Sequence, residues 1–340
     1  MLRGAIIGLG RAALDVHVPA WRRREDVEIV AVTDLAAGPR AAIRAHLPAA
    51  RWHDSMASLL AGESLDFVDI CTPPSSHAAL VCRALRAGHH VLCEKPLVCS
   101  PREFASVVEL AGRSGRVLRT VHNWHHAPII RRTTDLVQQG AIGQVAHVEW
   151  HTLRTEPARG RGGGAGNWRV DPALAGGGIL TDHGWHVFYL LQRWVGEWPI
   201  SVSARLETRR HAPVAVEDTA TVHVTYPRTT AQVFLTWAAD RRQTGATLIG
   251  QGRRLALHDE TLVLNANGHE RRWSCPPALS EGSVHPDWFD PVLAEFLRAV
   301  TGASVADANL AEASSCAALE SAARESSRRG GTPIPVRDLL

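Results

Sequence analysis

Five short runs rich in Val, Ile and Leu recur through the first third of the chain without polar alternation: Gly4–Leu9, Val27–Thr33, Phe67–Cys71, His90–Cys93 and Val117–Val121. A strand that is apolar on both sides has to be covered on both sides, and parallel sheets wrapped by helices do this. Helical stretches separate the runs at Pro39–His46, His77–Ala87 and Pro101–Gly112, the last two with Gly88 and Gly112 as stop signals. This rhythm predicts an α/β domain built on a doubly wound parallel sheet.

After residue 121 the period changes. A helix over Ile129–Gln139 ends at Gly140, and strands of period two follow at His147–Trp150, Ser201–Glu207, Thr219–Tyr226, Gln232–Trp237 and Leu262–Asn265. Strands that follow one another without helices imply a large, mostly antiparallel sheet, so the second domain reads as α+β. Asn267-Gly268 fits a tight turn. Helices over Pro291–Val300 and Ala308–Arg324 close the chain. A chain of 340 residues is long enough for two cores, and the boundary falls between a domain of residues 1–121 and one of residues 122–340.

Composition excludes several classes. With 45% hydrophobic and 21% charged residues, disorder does not dominate. The net charge of +3 is small and the Arg pairs are scattered, which argues against nucleic-acid binding. No apolar run reaches the length of a membrane span, and Leu2–Leu9 leads straight into a glycine turn, as a first strand does and a signal peptide does not. Six cysteines without C-x-x-C spacing read as reduced thiols of a cytoplasmic protein.

The first strand runs into Gly8-Leu9-Gly10-Arg11-Ala12-Ala13, a G-x-G-x-x-A turn. The first glycine permits the turn, the second lets backbone approach a pyrophosphate, and Ala13 lets helix pack closely on strand. An acidic residue, Asp34, ends the second strand. It can accept hydrogen bonds from ribose hydroxyls and would repel a 2′-phosphate, which favours NAD over NADP, although Arg40 lies near. At the end of a later strand, Glu94-Lys95-Pro96 offers a lysine able to hydrogen-bond a substrate oxygen or exchange a proton with it.

Together with Thr72-Pro73 followed by His77, Asn123 with Pro128, Gly140-x-Ile142-Gly143, Trp168-Arg169 and G-G-G-x-L-x-D-x-G-x-H from Gly176 to His186, these motifs resemble the Gfo/Idh/MocA family of nicotinamide-dependent oxidoreductases along nearly the whole chain. The resemblance implies a Rossmann domain and a C-terminal domain whose open sheet builds homodimers or homotetramers. It implies hydride transfer at a hydroxyl-bearing carbon of a sugar, amino sugar or cyclitol, and a small polyol as the partner. Catalysis then falls to Lys95, Asp182 and His186. The cofactor surface comprises Gly8, Leu9, Gly10, Arg11, Ala12, Asp34, Thr72, Pro73, His77, Glu94, Lys95 and Asn123. The substrate wall comprises Trp124, His125, Trp168, Arg169 and His183. The Lys95–Pro96 bond is expected to be cis. Two positions depart from the family pattern: Tyr189 where many relatives have Asp, and His125 where many have Arg.

If a helix begins at Gly178, Asp182 and His186 share one face, and the preceding glycines make room for nicotinamide or substrate. His186 is then the general base, Lys95 stabilises the developing alkoxide, and Asp182 orients a hydroxyl; the roles of Lys95 and His186 are interchangeable at this stage. Trp124, Trp168 and Trp185 offer flat faces for a sugar or for core packing. The histidines His122, His125, His126, His183 and His186 match no metal-ligand spacing, and no metal is expected. The glycine-rich stretch Arg159–Gly166 reads as a flap or a connector. A redox-neutral reaction through transient oxidation, and a nucleotide-sensing regulator, are the alternative functions.

Overall fold

The computed structural model describes residues 1–36, 38–159, 167–211, 215–282, 284–303 and 308–339; most of the Arg159–Gly166 stretch lies outside them. The chain forms two compact units, one of residues 1–123, 159–165 and 284–310 and one of residues 124–158, 166–283 and 311–340.

Among its described residues the first unit holds a six-stranded parallel sheet. Its strands are β1 (Leu2–Ile7), β2 (Val27–Thr33), β3 (Arg51–His53), β4 (Phe67–Ile70), β5 (His90–Cys93) and β6 (Leu118–Thr120), in the order β3-β2-β1-β4-β5-β6. This order reverses beside β1, which opens a crevice at the carboxyl ends of β1 and β4. β4 is buried at every residue. Several limits differ from the sequence reading by one to a few residues, and one strand of this sheet was not read. The helix Pro101–Ser114 runs past Gly112 and stops at Gly115, which takes the left-handed conformation at φ 61°. The edge strand β3 is too short and too exposed for its pattern to register in the sequence.

The segment after residue 284 also packs in this unit. Phe289, Val292, Leu293, Phe296 and Leu297 join Ile6, Trp21 and Phe67 in one core cluster. Phe296 meets the Phe67 ring edge-on at 5.5 Å. The boundary at residue 121 therefore leaves out a helix, Asp290–Val300, that returns to cover the first sheet. An apolar stripe shows that a helix is buried but not which sheet buries it.

Among its described residues the second unit holds a nine-stranded sheet. Its strands are β7 (His147–Leu153), β8 (Ser201–Glu207), β9 (Thr219–Thr225), β10 (Thr230–Thr236), β11 (Gln243–Gly250), β12 (Arg253–His258), β13 (Thr261–Ala266), β14 (His269–Ser274) and β15 (Ile334–Pro335). They run in the order β14-β13-β12-β11-β7-β10-β9-β8-β15. Neighbours pair antiparallel except β7 and β10, which are parallel. Burial alternates along β7 and β9, so one face is packed and the other open. Asn267 and Gly268, at φ 54° and 76°, make the hairpin turn between β13 and β14. None of the six cysteines is in a disulfide among the described residues, and no described helix is long and apolar enough to cross a membrane.

Candidate active site

In the first unit the predicted cofactor residues gather at the carboxyl ends of β1, β2, β4 and β5. Gly8 follows β1 at φ 89°, and a Cβ there would lie 2.7 Å from Thr72 Cγ2 and 2.9 Å from the Cys71 backbone. Only glycine fits this turn. Gly10 differs: an added Cβ would meet nothing within 4 Å, so its backbone borders open space where a pyrophosphate can approach. Leu14 N–H donates to Gly10 O at 3.0 Å, so helical bonding opens at that glycine, with Arg11 and Ala12 in its first turn. Arg11 pairs with Asp15 at 3.4 Å. The Asp34 carboxylate accepts Leu9 N–H at 2.6 Å and Ala36 N–H at 2.7 Å, one on each oxygen, which ties the end of β2 to the glycine turn. Each oxygen retains a second lone pair for a ribose hydroxyl. These features fit a dinucleotide.

His77 is turned inward. It is fully buried, with Nδ1 2.7 Å from Pro96 O and Nε2 2.8 Å from Thr72 O. Burial pushes its pKa down, against the pull of the two carbonyls. It therefore packs between the Thr72-Pro73 turn and the Glu-Lys-Pro turn, donating to one of the two carbonyls when neutral, and does not present a surface to a ligand. The Lys95–Pro96 bond is cis. Glu94 accepts Lys95 N–H at 2.9 Å on one oxygen and faces His17 Nε2 at 3.0 Å with the other. Lys95 itself is half-buried, and it is the only lysine in the chain, every other of the 37 Lys and Arg residues being arginine. Asn123 lies in a 3₁₀ turn, Asn123–His126, at the end of the unit.

In the second unit the Gly176–His186 segment forms a π-helical turn, Leu180–Gly184, that leads into the helix Trp185–Val195. Asp182 N–H donates to Gly178 O at 3.0 Å, so helical bonding opens at Gly178 as expected and passes through the π-helical turn before the regular helix. The glycines ahead of it are required by the protein's own packing. Gly176 is a left-handed cap at φ 76°; a Cβ on Gly177 would strike the Arg324 guanidinium, and one on Gly178 would strike the Glu217 backbone. Arg324 bridges Glu217 at 3.1 Å and Glu320 at 3.0 Å. Burial lowers its pKa, but these two charges outweigh burial and raise it overall.

Asp182 remains partly exposed, 3.8 Å from Arg169 Nε and 3.7 Å from His183 Nε2. The Arg169 guanidinium lies 4.3 Å over the Trp168 ring. His186 stacks on Trp124, 4.6 Å between centroids and 11° between planes. Its Nδ1 shares a 2.9 Å hydrogen bond with the Tyr189 hydroxyl, which also accepts Trp124 N–H at 3.0 Å. His125 Nε2 contacts Glu312 at 2.9 Å, and Arg193 holds the other Glu312 oxygen at 2.8 Å. Trp185 is fully buried, which makes it a packing residue. Two parts of this arrangement were not among the predicted site residues: Tyr189, noted only as a departure from the family, and the His17 and Asp69 pair of the first unit.

Residues 2–122 match the model of the oxidoreductase family with an NAD-binding Rossmann fold, and residues 130–256 match the Gfo/Idh/MocA C-terminal domain. The chain belongs to the Gfo/Idh/MocA oxidoreductase family. Among curated members, the D-glucoside 3-dehydrogenase of Escherichia coli is 34% identical over 191 residues, 55% of this chain and 52% of that protein. The D-apiose dehydrogenase of Paraburkholderia graminis is 28% identical over 292 residues, 83% of this chain and 75% of that one. The alignment thus spans about half the length of the first relative and three quarters of the second. The crystal structure of GenD2 from gentamicin A biosynthesis, in complex with NAD, is 22% identical with a TM-score of 0.84, covering 99% of this chain and 96% of that one. At that identity the likeness shows the family's fold and nothing of substrate.

Proposed function

We propose that the protein is an NAD-dependent dehydrogenase or reductase acting on a hydroxyl-bearing carbon of a sugar, amino sugar or cyclitol, with Lys95, Asp182 and His186 as its catalytic residues. The observation that carries this reading is the solitary lysine. The chain meets every other need for a basic cation with arginine. Arginine does not give up its proton in proteins, whereas a lysine can act as a proton donor and acceptor. A lysine in the Glu-Lys-Pro turn at the carboxyl end of a Rossmann strand is suited to proton transfer beside a redox cofactor.

Gly8, Gly10 and Asp34 would hold the dinucleotide, and the Asp34 carboxylate favours NAD over NADP. Bound nicotinamide supplies the hydride acceptor or donor. Lys95 donates a charged hydrogen bond to the substrate oxygen and stabilises the charge that develops on it. Lys95 and His186, whose Nδ1 meets the Tyr189 hydroxyl, share the proton exchange with the substrate hydroxyl. Asp182, beside Arg169, orients a second hydroxyl. Sugar dehydrogenase activity in curated relatives agrees with this reading. We assign homodimer or homotetramer contacts to the open face of the second sheet, where burial alternates along the strands.

The test mixes purified protein with NAD or NADP and a panel of cyclitols, sugars, amino sugars and glycosides. Reduced nicotinamide is followed by absorbance and products by mass spectrometry, with Lys95→Ala as control. The expected result is net reduction of NAD that the variant loses. Equal turnover in the variant would refute the role of Lys95, and product without net reduction would make the enzyme redox-neutral.

A further inference from the structure

The first unit contains a largely buried polar network that the proposed chemistry does not itself use. Val18 N–H bonds back five residues to Ala13 O, and the π-helical turn Ala13–His17 carries a histidine with no exposed surface. His17 Nδ1 lies 2.9 Å from Asp69 Oδ2 and Nε2 lies 3.0 Å from Glu94 Oε1. Trp21 N–H donates to the same Asp69 oxygen at 2.7 Å, and the Phe289 ring covers His17 at 4.0 Å. The Cys71 sulfur stands 3.2 Å from His17 Nδ1.

We propose that His17 is a positioning residue for Lys95: clamped between Asp69 and Glu94, it holds the carboxylate that in turn holds the Lys95 backbone amide. The inference rests on the reading of Lys95 as catalytic. Ionised carboxylates only accept hydrogen bonds, so a ring facing one at each nitrogen keeps both nitrogens protonated. Burial lowers the His17 pKa, but Asp69 and the Cys71 contact outweigh it, and the net shift is well upward. Glu94 is pushed up by burial and pulled down further by His17 and Lys95. Burial holds Cys71 as a neutral thiol.

The arrangement of exits gives the network its direction. Asp69 has no exposed side-chain surface, whereas the Glu94 side chain is 18% exposed. Without the imidazolium the two carboxylates repel, and only Glu94 can turn toward water. The group that moves is therefore the one attached to Lys95. On the far side of the lysine, His77 holds Pro96 O at 2.7 Å. The lysine is set between two anchored neighbours, one held by His17 and one by His77. His17, Asp69 and Cys71 also lie close enough together to suggest a metal cage. Their contacts of 2.9 and 3.2 Å are those of shared protons, and Asp69 already serves Trp21.

Because the chain has one lysine, protein grown with 13C,15N-lysine yields a single set of lysine signals. The experiment compares wild type, His17→Gln and Glu94→Gln with this label, alongside turnover and NAD binding. Both variants are expected to move the Lys95 amide and Cε signals. Turnover should fall by about 10- to 100-fold, the scale of a misplaced catalytic group, with NAD affinity little changed. A folded, NAD-binding His17→Gln protein with wild-type lysine signals would overturn the proposal, as would stoichiometric metal that binds the wild-type protein and is lost in His17→Gln. If His17→Gln fails to fold, Glu94→Gln decides by the same readouts. If wild type turns over no polyol, the proposed function fails while the lysine signals still decide the positioning.

Discussion

Two π-helical turns, one in each unit, carry the two histidines of interest to different ends. Ala13–His17 presents His17 to two carboxylates in a site closed by Trp21 and Phe289, whereas Leu180–Gly184 leads to His186, whose Nδ1 meets the neutral Tyr189 hydroxyl and whose ring stacks on Trp124. A carboxylate at each nitrogen makes a lasting cation. A phenol at Nδ1 sets no formal charge beside that nitrogen. The local backbone device is the same, and in the proposed reading the partners separate an anchoring histidine from a reacting one.

The largest effect that can break this contrast is on the chemistry. Lys95→Arg keeps a charge but removes the exchangeable proton, and kcat/KM should fall by roughly 10³-fold, within the range of general acid–base catalysis, while NAD still binds. Steady-state kinetics with the substrate found in the panel checks this. Wild-type rates in the variant would mean that the lysine acts only as a cation.

Next is the anchor. His17→Leu leaves Asp69 and Glu94 facing each other without a counter-ion, and urea unfolding should show a loss of roughly 3–5 kcal/mol, the usual result of removing one partner of a buried charged network. An unchanged midpoint would show that the network carries no stability. Gly178→Ala should cost about 1–3 kcal/mol because its Cβ would meet the Glu217 backbone, which cannot move aside. Gly177→Ala should cost less, since the Arg324 side chain can shift. Equal costs would indicate that the neighbouring backbone yields.

The smallest effect is a change with pH. A folded pKa raised above the unfolded value gives stability that is fully present below the unfolded value of about 6.5 and is lost as pH rises through the folded one. The stability gap between wild type and His17→Gln should thus be widest in mild acid and narrow in alkali. A gap that widens with pH would mean a neutral His17.

Much of the fold was legible in the chain. The strands Val27–Thr33, His90–Cys93 and Ser201–Glu207 have the limits their residues suggest. Five strands went unread: Arg51–His53 and Ile334–Pro335 because they are short, and Gln243–Gly250, Arg253–His258 and His269–Ser274 because buried glycines and exposed arginines blur their alternation. The Asp34 tie to the glycine turn follows from the motif, but the His17 network joins residues 17, 69 and 94, and no spacing along the chain announces it. The Gly176–Gly178 run was legible as a need for bare backbone. Its cause was not, because Glu217 and Arg324 fill that space from distant parts of the sequence.

The most direct test is a pH titration of 15N-histidine-labelled protein, with His17→Gln to assign the signal. The account predicts that His17 keeps both ring nitrogens protonated well above about pH 6.5, the ordinary imidazole value. Loss of its proton at or below about pH 6.5 would contradict it.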